Sequence, residues 1–248
     1  MKDGATLPLL LKELKLPTMR KLWEEQAKNA LQEGWSPPKY LTRLCEYESA
    51  ERESRRLGRH LQESCLPRGK GLEGFDFSRT EGLNKSQIMG LGRGELWIKE
   101  AMNVLLFGPS GVGKSHLACG IGKELVANGY RVLFAKATGL LERLEKAKRE
   151  KGLAGALAKL DRYDCLILDD FGYVKRTEVE SDVLFALICE RYERKSILIT
   201  CNQPFQEWDE IFENKRMAIA AVDRLIHHAT IIEITGESYR RKEAEQRM

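Results

Sequence analysis

The sequence predicts an α/β fold, a parallel sheet flanked by helices, preceded by a small all-α region. Short apolar runs alternate with helical patterns from Val104 onward, whereas residues 7–64 show helical patterns only. A glycine-rich turn also joins the first apolar run to the first helix of the alternating part. Strands that alternate with helices pair in parallel, because each helix carries the chain back across the sheet.

The N-terminal region is predicted to form three helices, at residues 7–16, 18–32 and 38–64. Thr18 is a possible N-cap of the second helix, and proline occupies the first turn of the third. The stretch PRGKGLEG, residues 67–74, then interrupts the helical pattern with one proline and three glycines. We therefore predict a helical DNA- or partner-binding domain at residues 1–70 and an ATPase domain at residues 71–248.

The second region alternates between the two kinds of element. Strands are predicted at residues 104–107, 131–135, 165–168, 196–200 and 231–234, where short apolar runs are bounded by turn formers. Helices are predicted at residues 115–127, from the second strand to residue 151, and at residues 178–191 and 215–226.

The glycine-rich turn GPSGVGKS matches the pattern G-x-x-x-x-G-K-[ST] between a strand and a helix. Glycines let backbone N–H groups turn inward around an anion. Lys114 would reach the β- and γ-phosphates of ATP, Ser115 would offer its hydroxyl to Mg²⁺, and the helix N-terminus favours the same negative charge. The alternative is a glycine-rich turn with an incidental lysine. The predicted nucleotide-binding residues are Gly108, Pro109, Ser110, Gly111, Val112, Gly113, Lys114, Ser115 and His116.

Two carboxylates follow the third predicted strand, in CLILDDFG. Asp169 is predicted to hold Mg²⁺ opposite Ser115, and Asp170 stands where many ATPases place the glutamate that polarises the attacking water. An acidic turn that only closes the strand is the alternative. Aspartate is shorter than glutamate by about 1.5 Å, and a misplacement of this order costs roughly 100-fold in rate. We therefore predict slow ATP hydrolysis.

Two further polar residues are candidates for catalysis. Asn202 ends the fourth strand, where it either orients the attacking water or forms an ordinary turn. Arg224 is either one half of a surface pair with Asp223 or an arginine finger for a neighbouring subunit's ATP, a role worth about 10³ to 10⁵ in rate. His227 and His228 have no partner at metal-ligand spacing, and we interpret them as helix-end residues.

Composition sets broader limits. The 248 residues carry a net charge of +4, a mild basic excess that permits a polyanionic partner. The absence of an apolar run near 18 residues or of a hydrophobic signal region predicts a cytoplasmic protein without membrane attachment. Six cysteines lack a C-x-x-C pair, and with Cys119, Cys165 and Cys189 in apolar surroundings they are interpreted as reduced small hydrophobes.

Five segments together carry a resemblance: GPSGVGKSHLA, LILDDFG, TCNQPFQEW, DRLIHHA and GESYRRK. The set resembles the DnaC-like AAA+ ATPases, and most closely the IstB helper proteins of bacterial insertion-sequence transposition, over about residues 75–242. The resemblance implies an AAA+ P-loop fold and ATP-driven formation of a homo-oligomer on DNA. It also implies that Asn202 is a sensor residue, that Arg224 is an arginine finger, that Arg240 makes a nucleotide-linked contact and that residues 75–91 border the adenine.

Basic residues suggest how such a protein would contact DNA. Four arginines of the third helix fall at positions i, i+3, i+4 and i+7, on one face, although Glu48 and Glu51 are placed to pair with two of them. A second basic cluster ends the helix after the second strand, and two basic residues follow the acidic pair. The candidate DNA contacts are Arg52, Arg55, Arg56, Arg59, Lys146, Lys148, Arg149, Lys151, Lys175 and Arg176. Without a base-reading motif, binding is predicted to be sequence-independent and salt-sensitive.

Three functions remain open at the level of sequence. The first is a regulator that assembles on double-stranded DNA with ATP and stimulates a partner transposase. The second is a helicase loader with the same core and a preference for single-stranded DNA. The third is a small-molecule kinase, for which the sequence shows no acceptor-binding lid and no task for Arg224.

Overall fold

The structure is a computed structural model that describes residues 3–80, 83–172, 177–203, 207–208, 212, 214–236 and 238–239. The chain forms two compact units, Met1–Arg59 and His60–Met248. Among the described residues, no helix is both long enough and apolar enough to cross a membrane.

The N-terminal unit is built from α1 (Asp3–Glu13), α2 (Pro17–Gln32) and the greater part of α3 (Pro37–Glu63). Its core is small, with Leu11, Met19 and Leu44 buried at the centre. The three helices were predicted. The predicted N-cap was wrong: Leu16 precedes the first turn of α2, and the hydroxyl of Thr18 is buried without a hydrogen-bond partner among the described residues.

A glutamate from α3 supplies the cap that Thr18 does not. The backbone N–H groups of Thr18 and Met19 donate to Oε2 of Glu48 at 2.8 and 3.1 Å, and Arg52 donates to the other carboxylate oxygen at 2.9 Å. Burial acts to raise the pKa of Glu48, but these hydrogen bonds outweigh it and lower that pKa. A buried negative charge therefore satisfies the free donors at the start of α2.

The C-terminal unit contains a sheet of five parallel strands: β1 (Asn103–Phe107), β2 (Val132–Lys136), β3 (Cys165–Asp169), β4 (Ser196–Cys201) and β5 (Ala229–Glu233). Their order in the sheet is β2-β3-β4-β1-β5, and every pairing is parallel. The predicted α/β fold with a parallel sheet is thus confirmed. The fifth strand begins at Ala229, two residues before the predicted start.

Helices cover both faces of this sheet: α4 (Lys85–Arg93), α5 (Lys114–Ala127), α6 (Ala137–Arg149), α7 (Leu153–Leu160), α8 (Glu178–Arg191) and α9 (Lys215–Ile226). The sequence did not predict α4 or α7. Alternate residues of β1 enter different clusters, Leu105 and Phe107 on one face and Val104 and Leu106 on the other. A strand buried on both faces explains its unbroken apolar run.

All six cysteines are free thiols. Cys119, Cys165 and Cys201 are buried, and burial raises the pKa of Cys119 to about 11 and that of Cys165 to about 12. These thiols stay protonated at neutral pH and pack as small apolar groups. Cys189 is exposed, as are Cys45 and Cys65, so the apolar surroundings predicted for Cys189 were wrong.

Candidate nucleotide-binding site

The turn between β1 and α5 has a backbone shape that only glycine adopts without strain. Gly108 has φ +142°, and a Cβ at this position would lie 2.1 Å from the carbonyl oxygen of Ile234. Gly113, at the N-cap of α5, has φ +101°, and a Cβ there would lie 2.6 Å from the ring of Phe75. The glycines thus let the loop pass close to its neighbours, in a backbone conformation suited to binding an anion through N–H groups.

Lys114 and Ser115 open the helix that follows this loop. The ammonium nitrogen of Lys114 donates to the carbonyl oxygens of Gly108 at 2.6 Å and Pro109 at 2.8 Å, which holds the charge over the loop. Ser115 is half-buried in the first turn of α5. A helix N-terminus, a loop of N–H groups and a lysine together form an anion-binding site.

The carboxyl end of β3 places two carboxylates beside this loop, next to Thr200 of β4. Asp169 is 4% exposed, and its Oδ1 accepts a hydrogen bond from the hydroxyl of Thr200 at 2.6 Å. The same hydroxyl oxygen accepts the backbone N–H of Asp170 at 3.0 Å. Asp170 has φ +58°, and its side chain, which is 41% exposed, has Oδ2 3.6 Å from the ammonium nitrogen of Lys136. One carboxylate is therefore buried and fixed, whereas the other faces solvent beside a cation.

A cleft of about 1200 Å³ lies between the loop and these strand ends. Among its lining residues are Ser110, Gly111, Val112, Gly113, Lys114, Ser115, His116, Asp169, Asp170 and Asn202. Parallel strands bring their carboxyl ends to one edge of the sheet, which is why residues far apart in the chain meet here. Gly108 and Pro109 contribute to the site through their carbonyl oxygens, which accept hydrogen bonds from Lys114.

Other residues of the cleft were not singled out from the sequence. Lys136 ends β2 and Thr200 is the next-to-last residue of β4, at the same edge of the sheet as Asp169, so a search of every strand end would have found them. Phe75, Asp76 and Thr80 also line the cleft and belong to the segment that the resemblance associates with adenine.

His116 has a structural role in addition to lining the cleft. Its Nε2 lies 2.8 Å from the carbonyl oxygen of Gly71, and its ring packs edge-on against Phe75 with centroids 5.5 Å apart. Phe75 in turn contacts Phe77, with ring centroids 4.9 Å apart. His116 therefore anchors the aromatic side of the cleft to the first turn of α5.

Arg224 lies on α9. It is not among the described residues that line the cleft. It donates to the carbonyl oxygen of Ala220 at 2.8 Å, and its guanidinium lies over the rings of Phe185 at 5.4 Å and Tyr192 at 5.8 Å. It forms no ion pair with Asp223, because neighbouring helix positions do not face each other. The surface-pair alternative is therefore wrong.

The basic stripe of α3 is largely paired within its own helix. Arg52 pairs with Glu48 and also donates to the carbonyl oxygen of Lys15, whereas Arg59 is exposed. Three ion pairs of this stripe are Arg52–Glu48, Arg55–Glu51 and Arg56–Glu53, each at 2.9 Å. The paired alternative is thus what the structure shows, and the exposed Arg52, Arg55, Arg56 and Arg59 stay predicted DNA contacts.

The second basic cluster ends α6. Lys148 pairs with Asp182 of α8 at 2.7 Å, Arg149 with Glu145 at 3.1 Å and Lys146 with Glu150 at 3.9 Å. Lys151 is exposed beyond the helix end. Lys175, Arg176 and Arg240 lie outside the described residues.

A glycine-rich loop that opens a helix, with an acidic pair at the end of another strand of the same parallel sheet, defines a P-loop nucleotide-binding protein. The chain belongs to the family of IstB-like ATP binding proteins, whose model matches residues 9–247. The resemblance found in the sequence is thereby confirmed.

Similar proteins agree with this assignment. The chain is 50% identical, over 98% of its length and 81% of the relative's, to a putative insertion sequence ATP-binding protein of Sinorhizobium fredii. Its fold is similar to that of the DnaC helicase loader, with a TM-score of 0.53, 20% identity, and 60% and 87% of the two chains covered. AMPPCP-bound DnaA from Aquifex aeolicus gives a TM-score of 0.59, 20% identity, and coverage of 74% and 55%. The AAA+ fold is confirmed.

Proposed function

We propose that this protein is an ATP-dependent DNA-binding regulator of transposition. It self-assembles on double-stranded DNA, hydrolyses ATP and stimulates or directs a partner transposase. The observation that carries the proposal is that the P-loop, Asp169, Asp170 and Asn202 all line the same cleft. Family membership supports the link to insertion sequences, since a relative with 50% identity bears that description.

The cleft has the groups that ATP with Mg²⁺ requires. The loop N–H groups and Lys114 bind the phosphates, and Phe75 offers an apolar surface for the base. The Ser115 hydroxyl and the buried Asp169 carboxylate are hard oxygen donors that line the same cleft, so they fit Mg²⁺. When bound, Mg²⁺ neutralises negative charge on the phosphates.

The residues at the strand ends serve hydrolysis. Asp170 accepts a proton from the attacking water, and Asn202 orients that water or the γ-phosphate. The ammonium group of Lys136 lies 3.6 Å from the Asp170 carboxylate and makes that carboxylate a weaker proton acceptor. Together with the short aspartate side chain, this supports slow turnover. Arg224 does not line its own cleft, and it is supplied to the ATP of a neighbouring subunit.

DNA is bound through its phosphates. We propose that residues 1–70 form the DNA- or partner-binding domain, with Arg52, Arg55, Arg56 and Arg59 as exposed contacts, and that residues 71–248 form the ATPase domain. Lys146, Lys148, Arg149 and Lys151, with Lys175 and Arg176, form the second contact region. Because phosphate contacts release counterions, affinity falls steeply as salt rises.

The decisive experiment is sedimentation of the full chain with duplex or single-stranded DNA, each with and without a non-hydrolysable ATP analogue at moderate salt. We expect a large complex only with duplex and nucleotide together. Lys114→Ala is the matched variant, because it removes the phosphate-binding charge and should abolish nucleotide-dependent assembly.

Each other outcome points to a different function. A complex that forms preferentially on single-stranded DNA would favour the helicase loader. A protein that sediments as a monomer and binds neither DNA would contradict DNA-dependent assembly and favour a small-molecule kinase.

A further inference from the structure

Three polar side chains meet at the ends of α8 and α9, in the described part of the C-terminal unit. Glu193 lies in the turn that leads from α8 to β4, and His227 and His228 lie in the turn that leads from α9 to β5. Their potential ligand atoms all lie within 4.8 Å of one another. All three side chains are exposed, so an ion from solvent can reach them.

The distances suit a small tetrahedral ion after modest side-chain movement. Nε2 of His228 is 4.0 Å from Oε1 of Glu193, and the two imidazole rings have centroids 4.0 Å apart. Ligands of tetrahedral Zn²⁺ lie about 2.0–2.2 Å from the ion, and therefore about 3.3 Å from one another. Exposed side chains on two turns close this difference by rotation, without moving the strands.

Tyr192 provides the outer contact that a metal-binding histidine requires. Its hydroxyl is 2.9 Å from Nδ1 of His227. A hydrogen bond from Nδ1–H to an oxygen fixes the tautomer and leaves Nε2 as the metal ligand. When Nδ1–H of His227 donates to the hydroxyl oxygen of Tyr192, Nε2 is the ring nitrogen that is left for the metal.

We propose that Glu193, His227 and His228 form a Zn²⁺ site. Two imidazoles and one carboxylate are a ligand set that Zn²⁺ accepts with a fourth position open to water. The ion links the turn after α8 to the turn after α9. It is distinct from the Mg²⁺ site in the cleft, whose donors are a hydroxyl and a carboxylate.

The site also has a consequence for Arg224, which rests on the proposed function. The guanidinium of Arg224 lies 5.8 Å from the ring of Tyr192, and that tyrosine contacts His227. Bound zinc would therefore restrain Tyr192, one of the two rings that pack against the proposed arginine finger.

The test is calorimetric titration of the nucleotide-free full chain with ZnCl₂ in excess Mg²⁺. Cys45→Ser, Cys65→Ser and Cys189→Ser are combined in the parent, because exposed thiols also bind zinc. We expect one Zn²⁺ per chain with micromolar affinity, weakened at least about tenfold by His228→Ala or Glu193→Gln. Glu207→Gln, at another exposed carboxylate, should bind zinc as the parent does.

Thermal unfolding gives a second reading. Zn²⁺ should raise the Tm of the parent and of Glu207→Gln, and should not raise that of Glu193→Gln or His228→Ala. Absence of binding in the parent, or equal binding in all four proteins, would overturn the proposal. Neither nucleotide nor DNA is used, so the result is independent of the proposed function.

Discussion

At the scale of single residues, Thr200 contacts both aspartates of the cleft, the carboxylate of Asp169 and the backbone of Asp170. Its hydroxyl donates to Asp169 and accepts from the backbone N–H of Asp170, whose φ of +58° is uncommon for a residue other than glycine. One buried hydroxyl therefore orients the predicted Mg²⁺ ligand and supports the backbone of the predicted base. Thr200 is a positioning residue, since it acts through Asp169 and Asp170.

Replacement of Thr200 should separate hydrolysis from nucleotide binding. Thr200→Val keeps the shape but leaves a buried carboxylate oxygen and an N–H without this partner, so we expect a loss of about 1–3 kcal/mol in the free energy of unfolding. We expect ATP turnover to fall at least about tenfold, because a small misplacement of a catalytic group is costly. Fluorescent-nucleotide binding and phosphate release measure the two effects.

Thr200→Ser is the control, because it restores the hydroxyl. It should recover most of the turnover. A valine variant with normal turnover would show that Thr200 does not position the carboxylates.

At the scale of elements, contacts from neighbouring elements stabilise helix and strand ends. Glu48 of α3 caps the start of α2. Arg191, at the end of α8, is 1% exposed. It donates to the carbonyl oxygens of Leu160 at the end of α7, of Tyr163 just beyond it and of Ser196 at the start of β4. Burial lowers the pKa of Arg191 to about 10, so it remains charged at neutral pH and joins three segments.

The Glu48 cap predicts a particular pH dependence. The pKa of Glu48 in the folded protein is lowered from its ordinary value of 4.5. Its contribution to the free energy of unfolding is therefore present above pH 4.5 and lost as the pH falls through the folded-state pKa. We expect Glu48→Gln to cost about 1–2 kcal/mol at pH 7 and progressively less below pH 4.5. Urea unfolding at several pH values measures this difference.

Glu51→Gln is the matched control in the same helix. Glu51 pairs with Arg55 on the surface, and such pairs contribute roughly 0.2–1 kcal/mol. A Glu48→Gln difference that did not shrink in acid would contradict a role for the ionised carboxylate.

Arg191→Met should be strongly destabilising. It leaves several buried carbonyl oxygens without donors, and each such group costs about 1–3 kcal/mol, so we expect a loss of at least about 3 kcal/mol. Arg194→Met is the comparison, because Arg194 forms ion pairs with Asp161 and Glu190 and is 54% exposed. Urea unfolding of both variants should give the larger loss for Arg191, and equal losses would argue against the bridging role.

At the scale of the whole molecule, Arg224, the proposed arginine finger, lies outside the cleft that the P-loop of the same chain lines. The P-loop lines the cleft, whereas Arg224 packs on the rings of Phe185 and Tyr192. Such an arrangement is productive if the arginine of one subunit serves the ATP of the next. Activity then belongs to the assembly and not to the single chain.

Mixing two inactive variants tests this sharing. Asp170→Asn, which leaves the P-loop intact, and Arg224→Ala should each hydrolyse ATP poorly when assembled, although Arg224→Ala should still bind ATP as a monomer. In an equal mixture, random neighbours would restore roughly a quarter of the parental turnover. Phosphate release with duplex DNA measures the recovery. Normal turnover of assembled Arg224→Ala, or no recovery in the mixture, would refute the finger assignment.

Several features could be predicted from the sequence because each depends on residues close together in the chain. The alternation of strands and helices, the P-loop and the acidic pair are all local patterns. By contrast, α7 was missed because Lys151 and Gly152 interrupt the helical pattern that continues from Leu153 to Leu160. The exposure of Cys189 was also missed, because neighbouring apolar residues do not report which side of α8 a residue occupies.

The sequence by itself determined the α/β class, the phosphate-binding loop and the family of this protein. Only the tertiary structure decided that Glu48 caps α2, that Thr200 holds Asp169, and that Glu193 meets His227 and His228. The physical reason is that each of these contacts joins residues from different elements. Their meeting depends on how helices and strands pack to bury many apolar side chains at once, and no single stretch of the chain encodes that arrangement.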